Sequence, residues 1–279
     1  MSETTTLTQA APPPLARKWS GARLAGLALM GFWIAAGLGL VWYLVDAFSW
    51  KFFDRYALKF LSGFWVTIKI VSLSLIFGAI LSIPLTFGRL SKHFLISKMA
   101  YGYSYLFRGT PLLAQTYLLY YGFGTFNEEL AAVGLWWFFR DATNCIIFIF
   151  ALNTAAYQAE ILRGSIQNVA KSQYEAGHAL GLPMWVIYYR IIVPQALITA
   201  LRPYGNEIIL MIKGSAIASL VTVFDLMGET RRAFSRSFDF QTYIWAALMY
   251  LSVVEALRLV WQRLEARLTR HLARSEEES

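Results

Sequence analysis

Apolar residues in this chain fall in long unbroken runs and not in stripes of period 3.6 or 2. Six runs of roughly 20 residues stand out, at Leu24–Val45, Phe64–Phe87, Tyr101–Phe123, Ala142–Glu160, Pro203–Val223 and Thr242–Trp261. Each is apolar on every side and long enough, as an α-helix, to cross a hydrocarbon layer about 30 Å thick. A helix with no polar face has nothing to turn towards water, so the pattern predicts an all-α integral membrane protein with about six transmembrane helices. No small-residue cleavage site follows the first run, which is therefore read as a retained span and not as a signal peptide. Outside the spans, Thr4–Thr6 and Pro12–Pro14 mark residues 1–23 as a disordered lead-in, and Glu276–Glu278 mark 265–279 as a solvated tail.

Charge fixes the expected orientation. Arg17, Lys18 and Arg23 precede the first span, Arg89, Lys92 and Lys98 follow the second, and Arg263, Arg267, Arg270 and Arg274 follow the sixth. Basic residues collect on the cytoplasmic side, so both termini are expected there. The loop after the third span, with Glu128, Glu129 and Asp141 against Arg140, then falls on the periplasmic side. Residues 225–239 carry both signs equally and do not inform the topology. With 57% apolar and only 15% charged residues, a soluble domain of this size has too little polar surface. The net charge of +8 sits in loops and tails, which is the membrane pattern and not a nucleic-acid-binding one. Cys145 is the only cysteine and lies within a span, where it reads as a small core residue.

The segment 161–202, between spans four and five, is long and of mixed polarity. Ser172 to Gly181 reads as a short helix with a polar face, Leu182-Pro183 as a turn, and the run to Val193-Pro194 as a second amphipathic helix. Two such helices make a knob suited to docking into another protein; the alternative is a re-entrant loop packed on its own bundle. Within it stand Glu175-Ala176-Gly177, three residues, Gly181, nine residues, Ile191, and Val193-Pro194. This spacing resembles the signature loop of ABC-importer permeases, Glu-Ala-Ala, three residues, Gly, nine residues, Ile, one residue, Leu-Pro. Gly177 replaces the second alanine and Val193 the leucine. Asn153 to Ile166 and Phe107 to Gln115 are similar to the polar amino-acid branch of that family. The resemblance spans roughly Leu61 to Leu264 and implies a type I importer permease core of five helices, 61–264, preceded by one additional helix and periplasmic loop at 24–60.

The resemblance further implies a transport subunit of the bacterial inner membrane with no catalytic residue and no cofactor of its own. ATP and Mg would belong to a partner ABC ATPase dimer, in keeping with the lack of any Gly-x-x-x-x-Gly-Lys-Ser/Thr loop here. Glu175, Ala176, Gly177, Gly181 and Pro194 would form the coupling contact with that ATPase. A second permease subunit, identical or paralogous, and a periplasmic amino-acid-binding protein are the other implied partners. His178 in the same loop reads as an exposed polar residue.

Polar residues inside spans are costly and commonly face a cavity or a protein interior. Arg108 and Gln115 lie seven apart and so on one helical face, with Pro111 between them as a kink or a helix start. They line the path on one reading; on the other, Phe94–Arg108 is an interfacial helix and Arg108 snorkels. Asn206 and Glu207 precede an apolar run, as they do in permeases of the histidine/lysine/arginine/ornithine type. A buried carboxylate there suits a guanidinium or ammonium substrate, whether a basic amino acid or an opine containing one, unless it pairs with Arg202 or Lys213. A non-ABC channel or a membrane-embedded enzyme are the competing classes. The only histidines, His93, His178 and His271, all lie in expected cytoplasmic segments and have no metal-ligand spacing.

Overall fold

The computed structural model describes residues 20–269, so most of the lead-in and tail, with His271, lies outside the described residues. Among these, every regular element is helical: α1 (Gly21–Asp46), α2 (Trp50–Leu90), α3 (Phe94–Gly109), α4 (Leu112–Thr125), α5 (Asn127–Ala132), α6 (Trp136–Phe139), α7 (Ala142–Gln167), α8 (Lys171–Ala179), α9 (Met184–Val186), α10 (Val193–Gly214), α11 (Leu226–Ser237) and α12 (Gln241–Leu268). A π-helical turn, Ile187–Ile192, joins α9 to α10, and a 3-10 helix, Ser215–Val221, prolongs α10. Five stretches are long and apolar enough to cross a membrane: Gly21–Asp46, Trp50–Leu90, Ala142–Gln167, Met184–Val221 and Gln241–Leu268.

The described residues divide into two units, 20–50 and 51–269. In the first, Ser20 caps α1 by accepting from the Arg23 amide at 3.3 Å, and none of the 26 helix residues is buried. The other four spanning stretches belong to the second unit, with α2 entering it at Lys51.

Three expected spans differ in the structure, the second because α2 is already helical from Trp50, through residues 50–60 where a loop was expected before Phe64. Tyr101–Phe123 is not one helix: α3 stops at Gly109 and α4 starts after Pro111. Proline lacks an N–H and disfavours helical backbone in the residue before it, and Thr110 is accordingly extended, at φ −113° and ψ 146°. The fifth span starts well before Pro203, which lies inside α10, because the expected second short helix of the loop runs through the π-helical turn into α10 without a stop.

In the second unit, α2 and α7 run parallel and are pinned at three levels. The Ser74 hydroxyl donates to the Ile147 carbonyl at 3.2 Å, Gly78 fits against Thr154, where a Cβ would meet its methyl group, and the Thr86 hydroxyl, which donates to the Ser82 carbonyl of its own helix at 2.7 Å, packs 3.2 Å from the Ala159 carbonyl. Small residues allow this approach, and packing and hydrogen bonds, more than water exclusion, hold helices together in lipid. Antiparallel to both, α10 packs on α7 and α12. The central core contains Ile70, Cys145, Ile146, Phe150, Met211 and Ile212. Ile166, Ile187, Ile192 and Ala196 gather near α8, and Tyr56, Phe60, Leu226 and Ala246 at the opposite end.

At that opposite end Asp225 caps α11. Its Oδ1 accepts from the Gly228 amide at 2.8 Å, and the Tyr250 hydroxyl lies 3.4 Å from Oδ2. Burial pushes the Asp225 carboxyl up to about 6, against hydrogen bonds that favour the charged form. An unfolded aspartate titrates near 3.9. Between that value and about pH 6 the folded protein therefore keeps a proton that the unfolded chain has lost. Stability is full below about pH 4, falls as pH rises through 6, and levels off about 3 kcal/mol lower. The expected result is a melting temperature that drops between pH 4.5 and 7.5, and Asp225→Asn should flatten the profile. A wild-type profile already flat across this window would contradict the assignment.

Candidate functional site

The loop between α7 and α10 forms a compact knob on α8. Two of its glycines have reasons inside the loop itself. Gly177 is buried against Ile187, whose Cγ1 would lie 2.8 Å from an added Cβ. Gly181 ends the helix in the left-handed conformation, φ 68°, with the Leu182 amide donating to the Gly177 carbonyl at 3.1 Å and the Gly181 amide to His178 at 2.9 Å. This is the Schellman stop, for which glycine is favoured. Glu175, Ala176, His178 and Gly181 are exposed, beside Leu180, Met184 and Trp185, which are 76%, 47% and 69% exposed. Pro194 is exposed at the first turn of α10, where its missing N–H marks the change from π-helix to α-helix.

Glu207 lies mid-bundle and only 6% exposed. It accepts from the Thr154 hydroxyl at 2.8 Å, Thr154 in turn accepts from Gln158 Nε2 at 3.1 Å, and the same Nε2 lies 3.2 Å from the Leu75 carbonyl. This polar chain links α10, α7 and α2. Arg202, the nearer of the two expected partners in sequence, pairs instead with Glu265 at 2.7 Å. Asn206 points elsewhere, into a groove of about 570 Å3 between α10 and α12, lined also by Arg202, Arg258, Trp261 and Gln262. Neighbours on a helix diverge by about 100°, so the pair does not converge on one point.

Arg108 and Gln115 are separated by the break at Thr110–Pro111 and do not share a continuous helical face. Gln115 is buried and locks the break. Its Nε2 donates to the Phe107 carbonyl at 2.8 Å and to the Thr110 hydroxyl at 2.7 Å, while its Oε1 accepts from Asn153 at 2.9 Å. Arg108 belongs to a charged cluster around Glu160 of α7. Arg89 and Arg163 hold the two carboxylate oxygens at 2.7 and 2.8 Å, and Arg108 stands off at 3.8 Å, over the Tyr157 ring.

Residues 74–271 match the model of a family described as the binding-protein-dependent transport system inner membrane component. The chain belongs to this family. As an inner membrane component it is similar to the nopaline transport system permease protein NocM of Agrobacterium fabrum, 40% identical over 70% of this chain and 81% of that one. It is 34% identical to the histidine/lysine/arginine/ornithine transport system permease protein HisM of Escherichia coli K12, over 76% of this chain and 89% of that one. Among solved structures, an amino acid ABC transporter crystallised with histidines superposes with a TM-score of 0.71 at 29% identity, covering 79% of this chain and 99% of that one.

In this inner membrane component, α1 lies outside the matched residues. The Glu160 cluster and the Gln158–Thr154–Glu207 chain were not singled out from the sequence. Glu160 stood at the expected end of a span, and Arg89 counted only as a topology signal. The one available cue was the i, i+3 spacing of Glu160 and Arg163, which puts both on one helical face.

Proposed function

We propose that this permease is the pore-forming subunit of an ABC importer that moves basic amino acids, or opines containing one, from periplasm to cytoplasm by alternating access. The similarity to permeases named for nopaline and for histidine, lysine, arginine and ornithine carries this reading. A separate ATPase dimer, holding ATP and Mg, docks on α8 through Glu175, Ala176 and Gly181, with Gly177 and Pro194 shaping the knob. The exposed Leu180, Met184 and Trp185 beside them supply the apolar surface that a protein partner covers. A second permease subunit completes the path, a periplasmic binding protein delivers substrate, and both termini lie in the cytoplasm. The test is purification from native membranes: an ATPase chain should accompany the permease, with turnover stimulated by a binding protein loaded with a basic amino acid. A permease active without any ATPase would be a channel.

Glu207 is the selectivity residue in this proposal, reached when α7 and α10 part. Arg108 faces the path, Asn206 lines the groove beside it, and Gln115 sets the path's shape through the α3–α4 joint. Glu207→Gln keeps an acceptor for Thr154 while removing the charge, and should weaken arginine or lysine uptake by about 1–3 kcal/mol, the value of a charge-assisted hydrogen bond. Kinetics in proteoliposomes check this. Unchanged arginine uptake in an intact complex would remove Glu207 from the substrate site.

A further inference from the structure

A hollow of about 300 Å3 lies where the end of α2, α3 and α7 meet, with Arg89, Tyr101, Ser104, Tyr105, Arg108 and Glu160 on its walls. Its hydrogen bonding is incomplete in two places. Three guanidiniums surround one carboxylate, and Arg89 and Arg163 occupy both of its oxygens at 2.7 and 2.8 Å. Arg108, at 3.8 Å and with its side chain 44% exposed, is left beyond hydrogen-bond distance. The second gap is Ser104, 3% exposed, whose hydroxyl has no hydrogen-bond partner. Buried hydroxyls are nearly always paired, so an orphan of this kind points to a ligand. Ser104 and Arg108 are four residues apart on α3 and therefore lie one above the other on the same face.

A group that satisfies both must accept hydrogen bonds and carry negative charge. A carboxylate fits, because a guanidinium fork binds its two oxygens in parallel while a hydroxyl donates to a remaining lone pair. We propose that this hollow is the site for the α-carboxylate of the transported amino acid, with Arg108 and Ser104 as donors and Arg89, fixed by Glu160, as a positive wall. The site rests on the reading of the chain as an amino-acid permease, and it assigns the end of the substrate that Glu207 does not address. It selects for amino acids as a class, and Glu207 for the charge of the side chain.

The experiment uses the whole permease–ATPase complex in lipid nanodiscs without the binding protein. Binding of radiolabelled arginine is compared with competition by agmatine, which has the guanidinium and lacks the carboxylate. Ser104→Ala should weaken arginine binding about three- to tenfold and Arg108→Gln more than about tenfold, while agmatine, itself cationic, should bind no more weakly in either variant. Wild-type arginine affinity in both variants, or equal losses for arginine and agmatine, overturns the proposal. So does an effect seen only with phosphatidylglycerol present and absent in phosphatidylcholine alone, which would assign the hollow to a lipid phosphate. If the wild type binds a different amino acid, the basic-substrate reading fails, while that amino acid and its decarboxylated amine test the hollow in the same way. No amino-acid binding at all by the wild type overturns both.

Discussion

Gly181→Trp is expected to abolish ATP-driven transport in a protein that still inserts and accumulates. Position 181 has a left-handed backbone, φ 68°, so any side chain there is strained by about 1–2 kcal/mol, too little to unfold a bundle of this size. An added Cβ at that position meets nothing within 4 Å of its own subunit, so the indole ring has open space on the same exposed loop that carries Glu175 and Ala176. If the ATPase covers this surface, a tryptophan wedge separates the two. Gly181→Asn is the control, because asparagine tolerates the left-handed conformation and adds little bulk. Uptake per unit of membrane-inserted protein is the measurement. The asparagine variant should transport and the tryptophan variant should fall by at least about tenfold, equivalent to 1.4 kcal/mol or more. Normal transport by the tryptophan variant, with an ATPase still bound, would remove α8 from the coupling contact.

Glu160→Gln should cost the most stability of any single change considered. The carboxylate, with its side chain 12% exposed, holds Arg89 at 2.7 Å and Arg163 at 2.8 Å, with Arg108 at 3.8 Å. Removing its charge leaves Arg89, with its side chain 16% exposed, and Arg163, at 26%, without their counter-ion, while Arg108 at 44% stays partly solvated. Breaking a buried ion pair from one side typically costs about 3–5 kcal/mol, because the charge left behind has no counter-ion. The expected outcome is a protein that accumulates poorly and melts at a lower temperature. Coupling this change with Arg89→Gln should recover part of the loss, since one uncompensated charge is gone. A single Glu160→Gln variant with wild-type abundance and melting temperature would show that the cluster is not structural.

The spans were largely legible because a lipid-exposed helix must be apolar on every side, and Leu24–Val45, with no buried residue, carries no competing signal. Continuity was less legible. Pro111 ended a helix where the apolar run Tyr101–Phe123 went on, yet Pro203 sits within α10 without ending it. Proline alone does not decide between these outcomes; the surrounding packing does. In the signature loop, the spacing from Glu175 to Pro194 was plain in the sequence, but the physical reasons for its glycines were not. Gly177 depends on Ile187, ten residues away in sequence, and Gly181 on the turn it closes. The charged and polar centres were the least legible. Glu160 meets Arg89 from another helix, and Thr154 meets Glu207 from 53 residues away. Contacts of that kind follow from the packing of α2, α7 and α10 and leave no local pattern to read.

The proposed function has this chain moving basic amino acids or opines under the control of a separate ATPase docked on α8. The most direct measurement is accumulation of labelled arginine in proteoliposomes containing the permease, its ATPase and the binding protein, with and without ATP. Uptake should require ATP and binding protein and be competed by lysine, ornithine, histidine or opines but not by leucine or glutamate. Uptake that proceeds without ATP, or that leucine or glutamate compete while basic amino acids do not, would contradict it.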